Sequence, residues 1–211
     1  MSEPQEFSEK SGQISSVRDT LTTCQVPPKI AKFEKISYNE FKNSMQKLYP
    51  SLRENAIQRT YDEIILPTRA TSGSAGYDIK TPVPFRLAGG QEITIPTGLR
   101  CQMADGWVML IAPRSGLGFK YYTRLANVIG IIDSDYAYAD NEGHIMIKMR
   151  CDHNDPDKVL LCHEGQAIAQ ALFVPFGITT DDCADGIRKG GFGSTDNNCA
   201  AGADSFVTKT I

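Results

Sequence analysis

With 211 residues, 41% of them hydrophobic and 22% charged, the chain has the composition of a soluble globular protein of one domain with room for an appendage. A net charge of −3 excludes a nucleic-acid coat, which needs a basic face. No apolar run reaches membrane-spanning length and the start lacks the basic and apolar regions of a secretory signal, so no membrane partner and a cytoplasmic location are expected.

Residues 1–36 are polar, rich in Ser, Glu and Gln, and include Pro27-Pro28; they read as a largely disordered arm. Ser37 and Glu40 then form a capping box, and Phe41, Met45, Leu48 and Tyr49 share one face before Pro50 stops the helix. Ser51 and Glu54 repeat the pattern, predicting a second short helix to about Arg59. Residues 1–60 thus form an extension whose helical pair packs on the main domain and does no chemistry.

From Tyr61 the texture changes to short apolar or alternating runs between Gly, Pro and Asp: Ile64–Leu66, Tyr77–Lys80, Glu92–Ile95, Trp107–Ala112, Ile145–Arg150, Lys158–Leu161 and Ala167–Phe176. The period is two in Glu92–Ile95 and Ile145–Met149, the mark of half-buried strands, and helix-length periodic runs are absent. Strands at this spacing predict an all-β antiparallel sandwich, jelly roll or barrel over 61–195, with 196–211 as a flexible tail. Cys151, His153, Cys162 and His163 hold four zinc-ligand types, but their spacing matches no standard finger, so packed thiols and surface histidines are the preferred reading.

The chemistry concentrates in a few segments. Gly130-Ile131-Ile132-Asp133-Ser134-Asp135-Tyr136 runs from apolar residues directly into two carboxylates and a tyrosine. In an extended strand Asp133 and Asp135 would share a face and Tyr136 would point away. An acid beside buried aliphatics needs a partner, a ligand or a water to activate; a hairpin end with simple turn bonds is the bland alternative. Arg188-Lys189-Gly190-Gly191-Phe192-Gly193-Ser194-Thr195 combines positive charge, free backbone N–H groups and hydroxyls around one anion, although it is not a Walker A loop. Ala112–Gly118 places Arg114 and Ser115 in a glycine-bent loop after a strand. Gly73–Ile79 sets Asp78 at the mouth of a strand, either for magnesium through water or for pairing with an arginine. Gln170, within Gly165–Gln170, is a polar intruder among strand residues.

In this order, Ala75–Ile79, Pro113–Gly118, Gly130–Tyr136, Gly165–Gln170 and Arg188–Thr195 resemble the five motifs of the trimeric deoxyuridine triphosphatase (dUTPase) family, over about residues 61–195. The resemblance implies a homotrimer of jelly-roll subunits with shared sites, hydrolysing dUTP to dUMP and pyrophosphate with Mg2+. That reaction limits uracil in DNA and supplies dUMP for thymidylate synthesis. By the same resemblance Asp133 is the base that activates water against the α-phosphorus. Tyr136 lies under the deoxyribose and excludes a 2′-hydroxyl. Asn127 and main-chain groups of Gly130, Ile131 and Ile132 read uracil, with Met146 closing that pocket. Arg114, Ser115, Gly116 and Gln170 match phosphate contacts, and Asp78 holds magnesium through water. The ending closes over the nucleotide, with Arg188 on the γ-phosphate, Phe192 above the base, and Gly193, Ser194 and Thr195 around the phosphates.

The chain departs from the family in several places. Arg188 stands one residue nearer the glycines than is common, leaving Arg188 and Lys189 as alternatives for the γ-phosphate. Asp196 replaces a usual glycine, Ala167 a frequent arginine, and Ala137–Glu142 is an insertion resembling a bacterial and bacteriophage branch. Two rival readings remain: a dCTP deaminase of the same fold, with Glu142 as its water-activating acid, and a nucleotide-switched binding protein whose regulatory protein partner docks on the helices or the inserted hairpin.

Overall fold

Short strands recur along this chain, and the computed structural model, which describes residues 27–155 and 158–191, shows what they build. The first strand, β1 (Ala31–Lys35), lies inside the stretch expected to be a disordered arm and pairs antiparallel with β6 (Leu99–Met103). Two helices follow, α1 (Tyr38–Leu48) and α2 (Glu54–Asp62). The remaining strands are β2 (Thr68–Arg69), β3 (Tyr77–Lys80), β4 (Phe85–Leu87), β5 (Glu92–Pro96), β7 (Trp107–Pro113), β8 (Thr123–Leu125), β9 (Gly130–Ile132), β10 (Met146–Cys151), β11 (Leu160–Cys162) and β12 (Ala167–Pro175). The all-β expectation holds, with all named pairings antiparallel.

The largest sheet runs β2-β3-β12-β7-β9, and a second runs β5-β10-β8. In β10 the burial alternates as the period-two pattern requires, with Ile147 and Met149 inside and Lys148 exposed. The core between the sheets is aliphatic, from Ile79, Ile95, Leu99 and Met109 to Ile168.

The helices are part of this core. Phe41, Met45 and Ile57 are completely buried, so the α1–α2 pair contributes apolar area to the β domain itself. Their caps differ from the sequence pattern. The Ser37 hydroxyl accepts from Glu40 N at 3.2 Å, but the carboxylate that accepts from Ser37 N is that of Glu142, at 2.7 Å. The capping box is therefore completed by a residue from the insertion. The second helix starts two residues later than Ser51 implied, with Arg53 at its N-cap and no side-chain cap.

Two expectations are corrected. Ile64–Leu66 forms no strand; the chain leaves α2 there and pairs only at Thr68–Arg69. The glycine-bent loop after Pro113 is a short helix, α3 (Ser115–Tyr121), which carries Gly116 and Gly118 and ends at Tyr122 in the left-handed region, φ 53°. No helix among the described residues is long and apolar enough to cross a membrane.

Candidate active site

Three clusters collect the residues singled out from sequence. The first lies where β3, β12 and β7 run side by side. Gln170 faces Asp78 on one neighbour and Ala112 on the other, just after a register shift between Ala167 and Ala169. Its Nε2 donates to Pro113 O at 3.2 Å, fixing the strand end from which Arg114 departs. Arg114 Nη1 donates to Asp78 Oδ1, forming an ion pair. Ser115 and Gly116 follow on the exposed first turn of α3. Gly76 passes close to this amide: a Cβ there would lie 2.8 Å from Gln170 Oε1, and the Gln170 side chain would have to shift.

The second is a small recess beneath the β8–β9 hairpin, lined by Ile111, Leu125, Asn127, Gly130, Ile132, Met146, Ile147 and Lys148. It gathers Asn127, Gly130, Ile132 and Met146 as the sequence reading required, whereas the Ile131 side chain faces out and is 58% exposed. The hairpin turns through Val128 at φ 67°, with Val128 N bonded to Leu125 O at 3.0 Å.

The third cluster contains the acids. Asp133 ends β9 and Asp135 sits in a 3₁₀ turn, Ser134–Tyr138. Both carboxylates meet the same guanidinium: Arg188 Nε donates to Asp135 Oδ1 at 2.7 Å, and Nη2 donates to Asp133 Oδ2. The extended geometry expected for this heptad is thus corrected. It is the 3₁₀ turn and the shared cation that bring the two acids together. Tyr136, expected to point away, belongs to the same cluster, with the Arg188 guanidinium 5.9 Å from its ring centroid. The ring is almost wholly buried; burial pushes its phenol above the ordinary value, against the smaller lowering effects of Asn141 and Arg188.

Here the structure adds residues the sequence reading missed. Asn141 Nδ2 donates to Tyr136 Oη at 2.9 Å, and Tyr136 Oη donates to His144 O at 2.9 Å. Asp140 N donates to Lys189 O at 3.0 Å, so the insertion also seats the C-terminal segment. The only advance sign of them was the extra length between Tyr136 and Gly143. Phe192, Gly193, Ser194 and Thr195 lie outside the described residues.

The sequence matches the family described as dUTPase over residues 62–195. That span is more than half of the chain and contains all three clusters. The chain belongs to the dUTPase family. Similar proteins of this family include the deoxyuridine 5'-triphosphate nucleotidohydrolase of Pasteurella multocida, 40% identical over 144 residues, covering 64% of this chain and 90% of that protein. That of Lactococcus lactis is 38% identical over 135 residues, covering 63% and 88%. Among solved structures, the Streptococcus mutans dUTPase superposes with a TM-score of 0.51 at 29% identity, over 70% of this chain and 97% of that one. A Staphylococcus bacteriophage 80alpha dUTPase shares the fold at a TM-score of 0.53 and 18% identity, over 77% and 100%. The all-β architecture is therefore the dUTPase fold.

A hydrated magnesium ion is compatible with the Asp78 cluster of this dUTPase chain. No group of three or more His, Cys, Asp or Glu among the described residues could cage a metal, and Asp78 is tied to Arg114. A lone carboxylate suits a hydrated ion delivered on a polyphosphate, since magnesium keeps its waters.

Proposed function

We propose that this protein hydrolyses dUTP to dUMP and pyrophosphate, with Asp133 as the general base and sites shared between copies of the chain. The observation that carries the sharing is strand geometry. Ile132 pairs with Met109 and Gly130 with Ile111, so continuing the register by one residue sets Asp133 beside Val108. Arg114 leaves the opposite end of the same strand. Six residues at about 3.3 Å each separate the two positions, roughly 20 Å, too far for one α-phosphorus to engage both. The acid of one copy and the Asp78–Arg114–Gln170 cluster of another would together make one centre, and a homotrimer of the family's kind supplies that arrangement.

In this reading Asn127 and the hairpin backbone hold uracil in the recess against Met146. Tyr136 supports the deoxyribose, and a 2′-hydroxyl finds no room. Asp133 accepts the proton of the attacking water, and displacement proceeds in line with pyrophosphate leaving. Arg114, Ser115, Gly116 and Gln170 hold phosphates. Arg188 must exchange its carboxylates for the γ-phosphate as the nucleotide enters. Magnesium, held by Asp78 through water, would add charge neutralisation on the triphosphate. Phe192 and Gly193–Thr195 are assigned to closure over the nucleotide.

The deaminase reading loses its acid. Glu142 accepts from both Ser37 N and Ser37 Oγ, at 2.7 and 2.6 Å, and these bonds hold its carboxyl below the ordinary value, engaged as a helix cap. The deciding experiment is pyrophosphate release from dUTP, dTTP, dCTP and UTP with magnesium. Turnover confined to dUTP is expected, and ammonia release from dCTP would overturn the reading.

A further inference from the structure

The inserted loop, residues 137–142, touches Tyr136, Gly143, the segment 189–191 and the start of α1. Asn141 stands at its centre. Its Oδ1 accepts from Gly143 N at 3.2 Å, which orients the amide so that Nδ2 reaches the Tyr136 hydroxyl at 2.9 Å. With that hydroxyl donating to His144 O, the phenol is held from two sides. On the other flank, a Cβ on Gly191 would lie 3.0 Å from Asn141 Nδ2, so the backbone at 191 packs directly against this amide. The bond from Asp140 N to Lys189 O keeps the same segment in place.

The loop is braced from behind by the N-terminal helix. Glu142 caps α1 through Ser37. His144 Nε2 accepts from Gly98 N at 3.0 Å, so Nδ1 carries the proton and donates to Ser44 Oγ, 3.1 Å away on α1. A helical extension expected to do no chemistry therefore sets the position of the loop that holds Tyr136.

We propose that Asn141 is a positioning residue for sugar selectivity, coupling the Tyr136 ring to the seating of residues 189–191, with α1 as its brace. The proposal rests on Tyr136 being the deoxyribose platform. A tyrosine excludes a 2′-hydroxyl only while its ring cannot retreat, and the Asn141 amide and His144 carbonyl prevent that retreat. Arg188, whose guanidinium lies over the same ring, can hand over to phosphate only if its flanking backbone stays docked.

The discriminating substitution is Asn141→Asp, which keeps the acceptor for Gly143 N but leaves the single phenol proton facing two acceptors, so Tyr136 loses its restraint either from position 141 or from His144 O. We expect the full-length variant to unfold within a few degrees of the parent. Its KM for dUTP should rise and its preference for dUTP over UTP in kcat/KM fall, each by roughly tenfold, the scale of one hydrogen bond to a buried group. In a Tyr136→Phe background the same substitution should add little, because the coupling partner is gone. Asn141→Ser serves as a second variant if the aspartate folds poorly. Parental KM and selectivity in Asn141→Asp, or an undiminished effect without the phenol, would overturn the proposal. A parent protein inactive on dUTP would instead refute the functional reading. The seating arm stands apart from activity: trypsin should cut after Arg188 and Lys189 several-fold faster in Asn141→Asp than in the parent, and equal rates would overturn it.

Discussion

Arg188 and Asp133, 55 positions apart, are joined by a charge-assisted hydrogen bond from the guanidinium Nη2 to the carboxylate Oδ2. The same side chain donates to Asp135, so one arginine spans both acids of the cluster. Arg188 is also the better shielded partner, its side chain 21% exposed against 51% for Asp133. On the proposed reading Arg188, rather than Lys189, is the cation that meets the γ-phosphate. Lys189 is exposed and contributes its backbone carbonyl. Arg188→Ala is expected to lower kcat/KM for dUTP by about 10- to 100-fold, whereas Lys189→Ala should change it less than about threefold. Steady-state kinetics on the two variants decides between them, and the reverse ranking would place Lys189 on the γ-phosphate.

Asp133→Asn tests the base. The amide keeps the size of the carboxylate but cannot take a proton, so dUTP binding should persist while kcat falls by about 100-fold or more. Equilibrium titration with a non-hydrolysed dUTP analogue, beside kcat, separates the two effects. Near-normal turnover would remove Asp133 from the chemistry.

How much of this was legible in the sequence depends on the range of the forces involved. Strand alternation at Met146–Cys151 and Glu92–Pro96 is local and was read correctly, as was the face of α1 that carries Phe41 and Met45. The Ser37 cap was half legible: the hydroxyl bond to Glu40 N is local, but the carboxylate comes from Glu142, 105 positions away. Strand β1 was missed because Ala31–Lys35 is charged and half exposed, and only pairing with Leu99–Met103 gives it a shape. The motif residues were legible as chemistry, yet not their partners. An arginine was one of the two expected partners of Asp78, but nothing local announces that it will be Arg114, or that Arg188 will bridge two acids across the 3₁₀ turn.

Gly143 should tolerate no side chain. Its φ is 72°, and a Cβ would stand 2.6 Å from Ala137 Cα and 2.7 Å from Tyr136 O. Both contacts are with backbone, so neither can yield by rotation. Gly143→Ala is expected to cost at least about 2 kcal/mol, combining left-handed strain with overpacking beside Tyr136. Chemical denaturation of the variant measures the cost; a midpoint equal to the parent's would show that the loop adapts.

His144 predicts an acid limit to stability. Burial lowers its pKa from 6.5 to about 4, only partly opposed by the nearby Glu142 carboxylate. The groups facing it are the Gly98 N–H, the Ser44 hydroxyl, the Phe41 ring and Glu142. Its folded value lies below its unfolded one, so the unfolded chain binds the proton more readily. This contribution is fully present above pH 6.5 and is lost as the pH falls from 6.5 towards 4, by about 3 kcal/mol in all. Unfolding free energies between pH 7 and 4.5 should decline more steeply in the parent than in His144→Gln. Parallel curves would show that His144 is not the source.

Phe41 tests whether the α1–α2 pair belongs to the β domain or merely rests on it. Its side chain is fully buried, its ring tilted against Tyr61 with centroids 5.6 Å apart and against His144 at 6.4 Å. A Cβ on Gly98, in the turn between β5 and β6, would lie 3.1 Å from the Phe41 ring, so the helix packs directly onto the sheet turn. Truncation leaves a cavity at the join of helix, sheet turn and inserted loop, and Phe41→Ala is expected to cost about 3–5 kcal/mol. An extension that only rested on the surface would unfold on its own at lower denaturant, leaving the β domain's transition unchanged. Integration into one core predicts a single transition that shifts as a whole, followed by near-ultraviolet circular dichroism and by fluorescence of Trp107. Because α1 also braces the loop that carries Asn141 and borders Tyr136, the variant should lose selectivity for dUTP over UTP at temperatures where it remains folded.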